Sequence, residues 1–142
     1  MSPENTLKLL TQFPLLYRNL RGMNFECDDG WLDLIYQASA QIEELALKYG
    51  MAKTPDAWPE FLIVKEKMGW LRMQGLSSIG EQFRKEAHDI IRSYEKQSMK
   101  TCEVCSAPAT PNEFCAPGVW LKTLCPECAK KSPCIRTGQL AW

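Results

Sequence analysis

Seven cysteines lie in this chain of 142 residues, and six of them fall between positions 102 and 134. Cys102, Cys105, Cys125 and Cys128 read C-x2-C-x19-C-x2-C. Each close pair can make a tight knuckle whose two sulfurs converge on one ion. The stretch between the pairs is long enough for a hairpin that brings both knuckles together. Four thiolates complete a tetrahedral shell, so the expected chemistry is a structural zinc with no open coordination position. Core cysteines clustered by chance are the competing reading.

Cys115 and Cys134 extend the pattern to C-x2-C-x9-C-x9-C-x2-C-x5-C. That run superficially resembles a binuclear Zn₂Cys₆ cluster. In the fungal factors of that kind a basic stretch between the first cysteines contacts DNA. Here residues 106–114 contain no Lys or Arg, and the spacings differ from the usual ones. One ion on the four central cysteines is therefore expected, with Cys115 and Cys134 free or packed. A second ion involving Cys115 and Cys134 is the alternative. Cys27 reads as a loop or core thiol.

Other candidates for chemistry have simpler explanations. His88 is the only histidine, and on a helical wheel it falls roughly opposite Ile79 and Ile90, as a solvated residue would. Zinc-module nucleases and Cys-His nucleophile pairs need histidines that this sequence lacks near its cysteines. Glu26, Asp28, Asp29 and Asp33 could hold a hard cation, but negative charge before a helix also complements its dipole. Lys65, Glu66, Lys67 and Arg72 could face phosphates, or simply be solvated strand positions. The scattered glycines form no phosphate-binding loop.

The elements that must position these residues are legible from periodicity. Ser2-Pro3-Glu4 offers a cap, a first-turn proline and an acidic first turn for a short helix that Pro14 ends or kinks. Residues 21–30 read as a loop. Trp31, Leu34, Ile35, Ala38, Ile42, Leu45 and Tyr49 then repeat at helical spacing, and Gly50 can close that helix. Residues 61–74 read as a hairpin turning at Met68-Gly69, with a short helix over 65–68 as the alternative. Ser78 and Glu81 fit a capping box ahead of a stripe formed by Ile79, Phe83, Ala87, Ile90 and Tyr94. Residues 118–124 look like a strand that feeds the second cysteine pair.

Composition bounds the class. Hydrophobic residues make up 45% and charged residues 24%, ordinary for a globular chain. No apolar run is long enough to span a membrane, and the first residues lack the pattern of a signal peptide, so the chain is expected to stay in the compartment where it is made. Clustered cysteines in a reducing compartment favour metal over disulfides. Formal charge sums to zero, but residues 1–95 hold eleven Lys and Arg against fourteen Asp and Glu, while 96–142 hold six against three. Zinc thiolates would offset most of the tail's surplus, and this balance argues mildly against a dedicated duplex-DNA binder.

Three stretches together carry a resemblance. They are residues 24–35 with Asp29-Gly30-Trp31, residues 64–72 with Val64-Lys65-Glu66-Lys67, and the two cysteine pairs including Thr123-Leu124-Cys125. The chain resembles, over roughly residues 13–128, a group of small uncharacterised bacteriophage and prophage proteins with "DGW-DLI", "VKEK-G-LR" and paired C-terminal CxxC motifs. Trp70 stands where that group commonly has glycine or threonine, and Cys115 and Cys134 are peculiar to this chain. The resemblance implies a phage origin and the bacterial host cytoplasm, and carries no activity.

The sequence thus predicts an α+β fold. Helices pack with a small β-hairpin over residues 1–99, and a zinc-ribbon or knuckle-like module with a C-terminal tail occupies residues 100–142. The function expected is that of a non-enzymatic, zinc-stabilised protein docking on a host protein or complex, for instance to inhibit a bacterial defence system. The aromatic residues are its available anchors. The alternative is a nucleic-acid-binding regulator using Lys96, Lys100, Lys122, Lys130, Lys131 and Arg136. An enzyme working through the acidic loop is the third class.

Overall fold

The computed structural model describes residues 1–76, 80–109, 121–132, and the backbone of 114–116 and 135–136. Its α+β architecture is a helical body with a hairpin, followed by a small cysteine-bearing module. Helix α1 (Pro3–Gln12) starts as its sequence predicts: the Ser2 side chain accepts the Asn5 N–H, and Pro3 opens the first turn. After a 3₁₀ turn at Asp29–Trp31, helix α2 (Leu32–Lys48) buries Ile35, Ala38, Ser39, Ile42, Leu45 and Ala46. Gly50 follows with φ +67, the left-handed conformation that releases the chain from a helix. The buried face is slightly rotated from the one read off the sequence. Leu34 is half-buried and Tyr49 is exposed, whereas Ser39 is fully enclosed because its hydroxyl bonds Tyr17 and the Ile35 carbonyl.

The hairpin forms where expected. Strands β1 (Ile63–Lys67) and β2 (Trp70–Gln74) are antiparallel with Lys67 opposite Trp70. Met68 (φ 55) and Gly69 (φ 79) both adopt left-handed backbone, the signature of a two-residue type I′ turn. Residues 65–68 are accordingly strand and turn, not helix. The loop 21–30 contributes more than connection. Glu26 bridges β1 in parallel: its N–H donates to the Val64 carbonyl, and its own carbonyl accepts the Glu66 N–H. On the other side of the hairpin the Leu71 and Met73 N–H groups donate to the side chains of Ser98 and Glu95.

Those acceptors belong to helix α3 (Glu81–Ser98), which packs against α2 and β2 through Phe83, Ala87 and Ile91. Gly80 stands at its N-cap position; Ser78 and Ile79, the expected capping residue and first stripe position, lie outside the described residues. One core joins α1, α2, the hairpin and α3. Tyr17 sits at its centre, edge-on to Phe25 at 4.9 Å and stacked on Phe61 at 5.9 Å. Beyond α3 the chain forms a three-stranded sheet in the order β4-β3-β5, with β3 (Phe114–Ala116), β4 (Lys122–Thr123) and β5 (Ile135–Arg136). Helix α4 (Pro126–Lys131) follows β4. No helix among the described residues is long and apolar enough to cross a membrane.

Candidate metal centre

The first cysteine pair sits on a knuckle held by its own backbone. The Cys102 N–H donates to the Ala107 carbonyl at 2.8 Å, and the Ser106 N–H donates back to the Cys102 carbonyl at 3.0 Å. Ser106 turns the chain with φ +67. Flanking residues Thr101 and Pro108 bridge antiparallel, which closes the base of the knuckle. The second pair is built on a helix start instead of a bare knuckle. Cys125 is the N-cap of α4, Pro126 takes the first helical position, and the Cys128 N–H donates to Cys125 Sγ at 3.5 Å.

All four sulfurs converge. The Sγ atoms of Cys102, Cys105, Cys125 and Cys128 lie within 4.8 Å of one another, and Cys105 and Cys125 are 3.6 Å apart. A tetrahedron with Zn–S bonds of about 2.3 Å has sulfur–sulfur edges of about 3.8 Å. The cluster is therefore of the size that one ion requires, and its all-thiolate donor set is the chemistry that suits zinc. None of the four is in a disulfide. The Cys128 N–H holds the Cys125 thiol down to about 7, whereas burial pushes the Cys102 and Cys128 thiols up. Four thiolates at this separation need a cation among them to coexist.

The module is stitched to the body at one seam, and residues 28–31 supply most of it. The Gly30 N–H donates to the Glu103 carbonyl at 2.6 Å, and Ser106 Oγ returns a bond to the Gly30 carbonyl at 2.7 Å. A Cβ on Gly30 would lie 2.3 Å from the Cys102 carbonyl oxygen and 2.4 Å from that of Glu103, so only glycine permits this approach. Trp31 Nε1 donates to the Thr101 carbonyl at 2.9 Å, and the Asp28 N–H donates to Glu103 Oε1 at 3.1 Å. Thr123 ties the module to the hairpin turn: its hydroxyl donates to the Gly69 carbonyl at 2.6 Å while its own carbonyl accepts the Glu103 N–H.

Glu103 is the unusual member of this seam. Its side chain is 1% exposed, and Oε2 has no hydrogen-bond partner among the described residues. Lys122 Nζ stands 3.7 Å from Oε1 and also bonds Asp28. Burial pushes the Glu103 carboxyl up to about 7, a shift that Lys122 only partly offsets.

The other sequence candidates are dispersed. Asp29 accepts the Ser2 N–H, which holds its carboxyl below the usual range, and Asp28 pairs with Lys122. Asp33 and His88 are exposed. Cys27 is a buried core thiol, one of the two readings expected, and burial pushes it up to about 12. The Cys115 side chain, Cys134 and the Arg136 side chain lie outside the described residues, so the second-ion alternative does too. Of the basic residues offered for nucleic acid, Lys122 is committed to the seam and Lys130 pairs with Glu127 at 3.0 Å. Sequence reasoning missed Gly30, Glu103 and Thr123 as joint makers. Their only sequence signal was the proximity of two of them to cysteines. Compared with known protein families, with curated proteins and with solved structures, the chain matches none.

Proposed function

We propose that this chain is a non-catalytic binding protein, rigidified by a single structural zinc, that docks on a partner protein through the tip where the hairpin turn meets the cysteine module. The observation that carries this reading is Met68. A type I′ turn favours Asn, Asp or Gly at its first central position, because a side chain with φ > 0 is strained. Met68 nonetheless occupies it at φ 55 and leaves its side chain 65% exposed. Neither local propensity nor burial explains a methionine there, and strain at an exposed site is a pointer to contact. Val104, 46% exposed on the first knuckle, belongs to the same tip, since its neighbour Glu103 and Met68's neighbour Gly69 both bond Thr123. A closed four-thiolate shell supports a role for the metal in shape rather than turnover. The phage resemblance makes the partner a host protein or complex in the bacterial cytoplasm, with blockade of a defence system as the form that origin suggests.

Met68→Asn separates stability from docking. Asparagine suits the turn, so the variant should be as stable as the parent or about 0.5–1 kcal/mol more stable. Capture of the partner from a nuclease-treated host lysate, then binding to that purified partner, should weaken at least tenfold, the loss of about 1.4 kcal/mol. Undiminished binding by Met68→Asn, or capture that disappears with nuclease, would retire the proposal.

A further inference from the structure

The solvent side of α3 carries a row of basic side chains that the balanced charge of the whole chain conceals. Arg84, His88, Arg92, Lys96 and, just past the helix end, Lys100 follow one another at intervals of four residues. All five are exposed, and none makes an ion pair or side-chain hydrogen bond among the described residues. Of the carboxylates on α3, Glu86 faces Lys48 and Tyr49, Glu95 faces Arg72, and the exposed Glu81 and Asp89 form no ion pair with the row among the described residues. Fold stability does not ask for such a row. Like charges four apart on a helix repel, and Arg84 near the positive end of α3 opposes the helix dipole. Only Lys96 and Lys100, at the other end, are favoured by that dipole.

The row has a length and a direction. Four residues advance an α-helix by about 6 Å, so positions 84 to 96 span about 18 Å along one inclined ridge. This repeat is close to the stride of successive phosphates on an extended strand. At its first two members the ridge borders a hollow of about 360 Å³ between β2 and α3. Arg84, His88, Gln74 and the paired Arg72 and Glu95 supply its polar rim, while Met73, Leu76 and Ile91 supply apolar wall. Its size falls at the low end of small-ligand sites, roughly 300–1,000 Å³. A cationic track leading to a half-apolar hollow matches how single strands are held, with phosphates on the track and an unpaired base against apolar wall.

We infer that the α3 ridge binds the backbone of single-stranded nucleic acid without sequence preference, and that the hollow beside Arg84 receives one unpaired base. This surface shares no residue with the Met68 tip and does not depend on it. The test uses the zinc-loaded full chain and a labelled random single strand of about 20 nucleotides, longer than one compact binding site. With four phosphate contacts the slope of log affinity against log salt should be roughly −2.8, about a 50-fold loss between ~50 and ~200 mM salt. Arg92→Ala/Lys96→Ala should halve that slope, to roughly −1.4. Met68→Asn should change neither affinity nor slope, which separates failure of this inference from failure of the docking tip. Lys130→Ala/Lys131→Ala should also leave the slope unchanged. Absent binding at low salt, a slope indifferent to Arg92→Ala/Lys96→Ala, or tighter binding to the matching duplex would overturn the inference. Equal competition by polyglutamate against the unmodified chain would overturn it as well and assign the ridge to an acidic protein.

Discussion

The helical body and the cysteine module solve the same problem with different means. In the body, Trp31, Tyr17, Phe25, Phe61 and Phe83 are fully buried in one core that draws on every helix from α1 to α3 and on both hairpin strands. In the module the buried cluster is Cys102, Leu124, Cys125 and Ala129, and two of those four belong to the four-sulfur site. Segments of about 40 residues seldom fold on hydrophobic burial alone and need a metal, a disulfide or a neighbour. This module has the means for two of these: a four-sulfur site and a seam against residues 28–31. The body should therefore survive what the module does not.

The largest effect should come from removing a ligand. Structural zinc contributes on the order of 10–16 kcal/mol in small zinc-dependent peptides. Cys102→Ser, Cys125→Ser or chelation should unfold the module while far-UV ellipticity from the body's helices persists. Elemental analysis of the parent should find about one zinc per chain, as a four-ligand site requires. Loss of the whole fold would abolish the contrast between the regions, two zincs would bring in Cys115 and Cys134, and none would end the zinc reading.

Gly30→Ala probes the seam itself. The added methyl would collide with two backbone carbonyls, and the chain must shift to accept it. A cost of about 1–3 kcal/mol is expected, as for other overpacked sites. Thiol-reagent reactivity of Cys105 should rise once the module loosens. An unchanged midpoint of thermal unfolding would mean that metal alone positions the module.

The smallest effect sharpens the same boundary through pH. The Glu103 carboxyl, raised to about 7, is protonated more readily folded than unfolded. Its contribution to stability is complete below about 4.5 and disappears as pH rises through about 7. Between pH 6 and pH 8 the parent should lose about 1 kcal/mol at this site, and Glu103→Gln should flatten that slope. Stability that climbs over the same interval would show that the Lys122 pairing outweighs burial.

What could be read in the sequence was local. The Met68-Gly69 turn, the cap at Ser2, the closing Gly50 and the two cysteine pairs each announce themselves within a few residues, because turn chemistry and ligand spacing are short-range. The seam did not. Gly30 reads as the last residue of a loop until Glu103, more than seventy positions away, is found against it. Lys122 reads as a free cation until Asp28 and Glu103 claim it. Helix periodicity placed Leu34 in the core, but Tyr17 recruits Ser39 and turns the buried face. The cationic row on α3 was visible in principle, yet whole-segment charge sums average it away.

The hydrogen bonds flanking the hairpin have a further consequence. A two-stranded ribbon normally leaves two rows of unpaired amides and carbonyls, which can recruit foreign strands and seed fibrils. Here Glu26 occupies one side, and Ser98 and Glu95 cover amides on the other. A partner peptide can therefore not lengthen this ribbon by β-augmentation without first displacing residues of the chain's own loop or helix. The same closure discourages ribbon-to-ribbon polymerisation, whatever the state of the cysteine module.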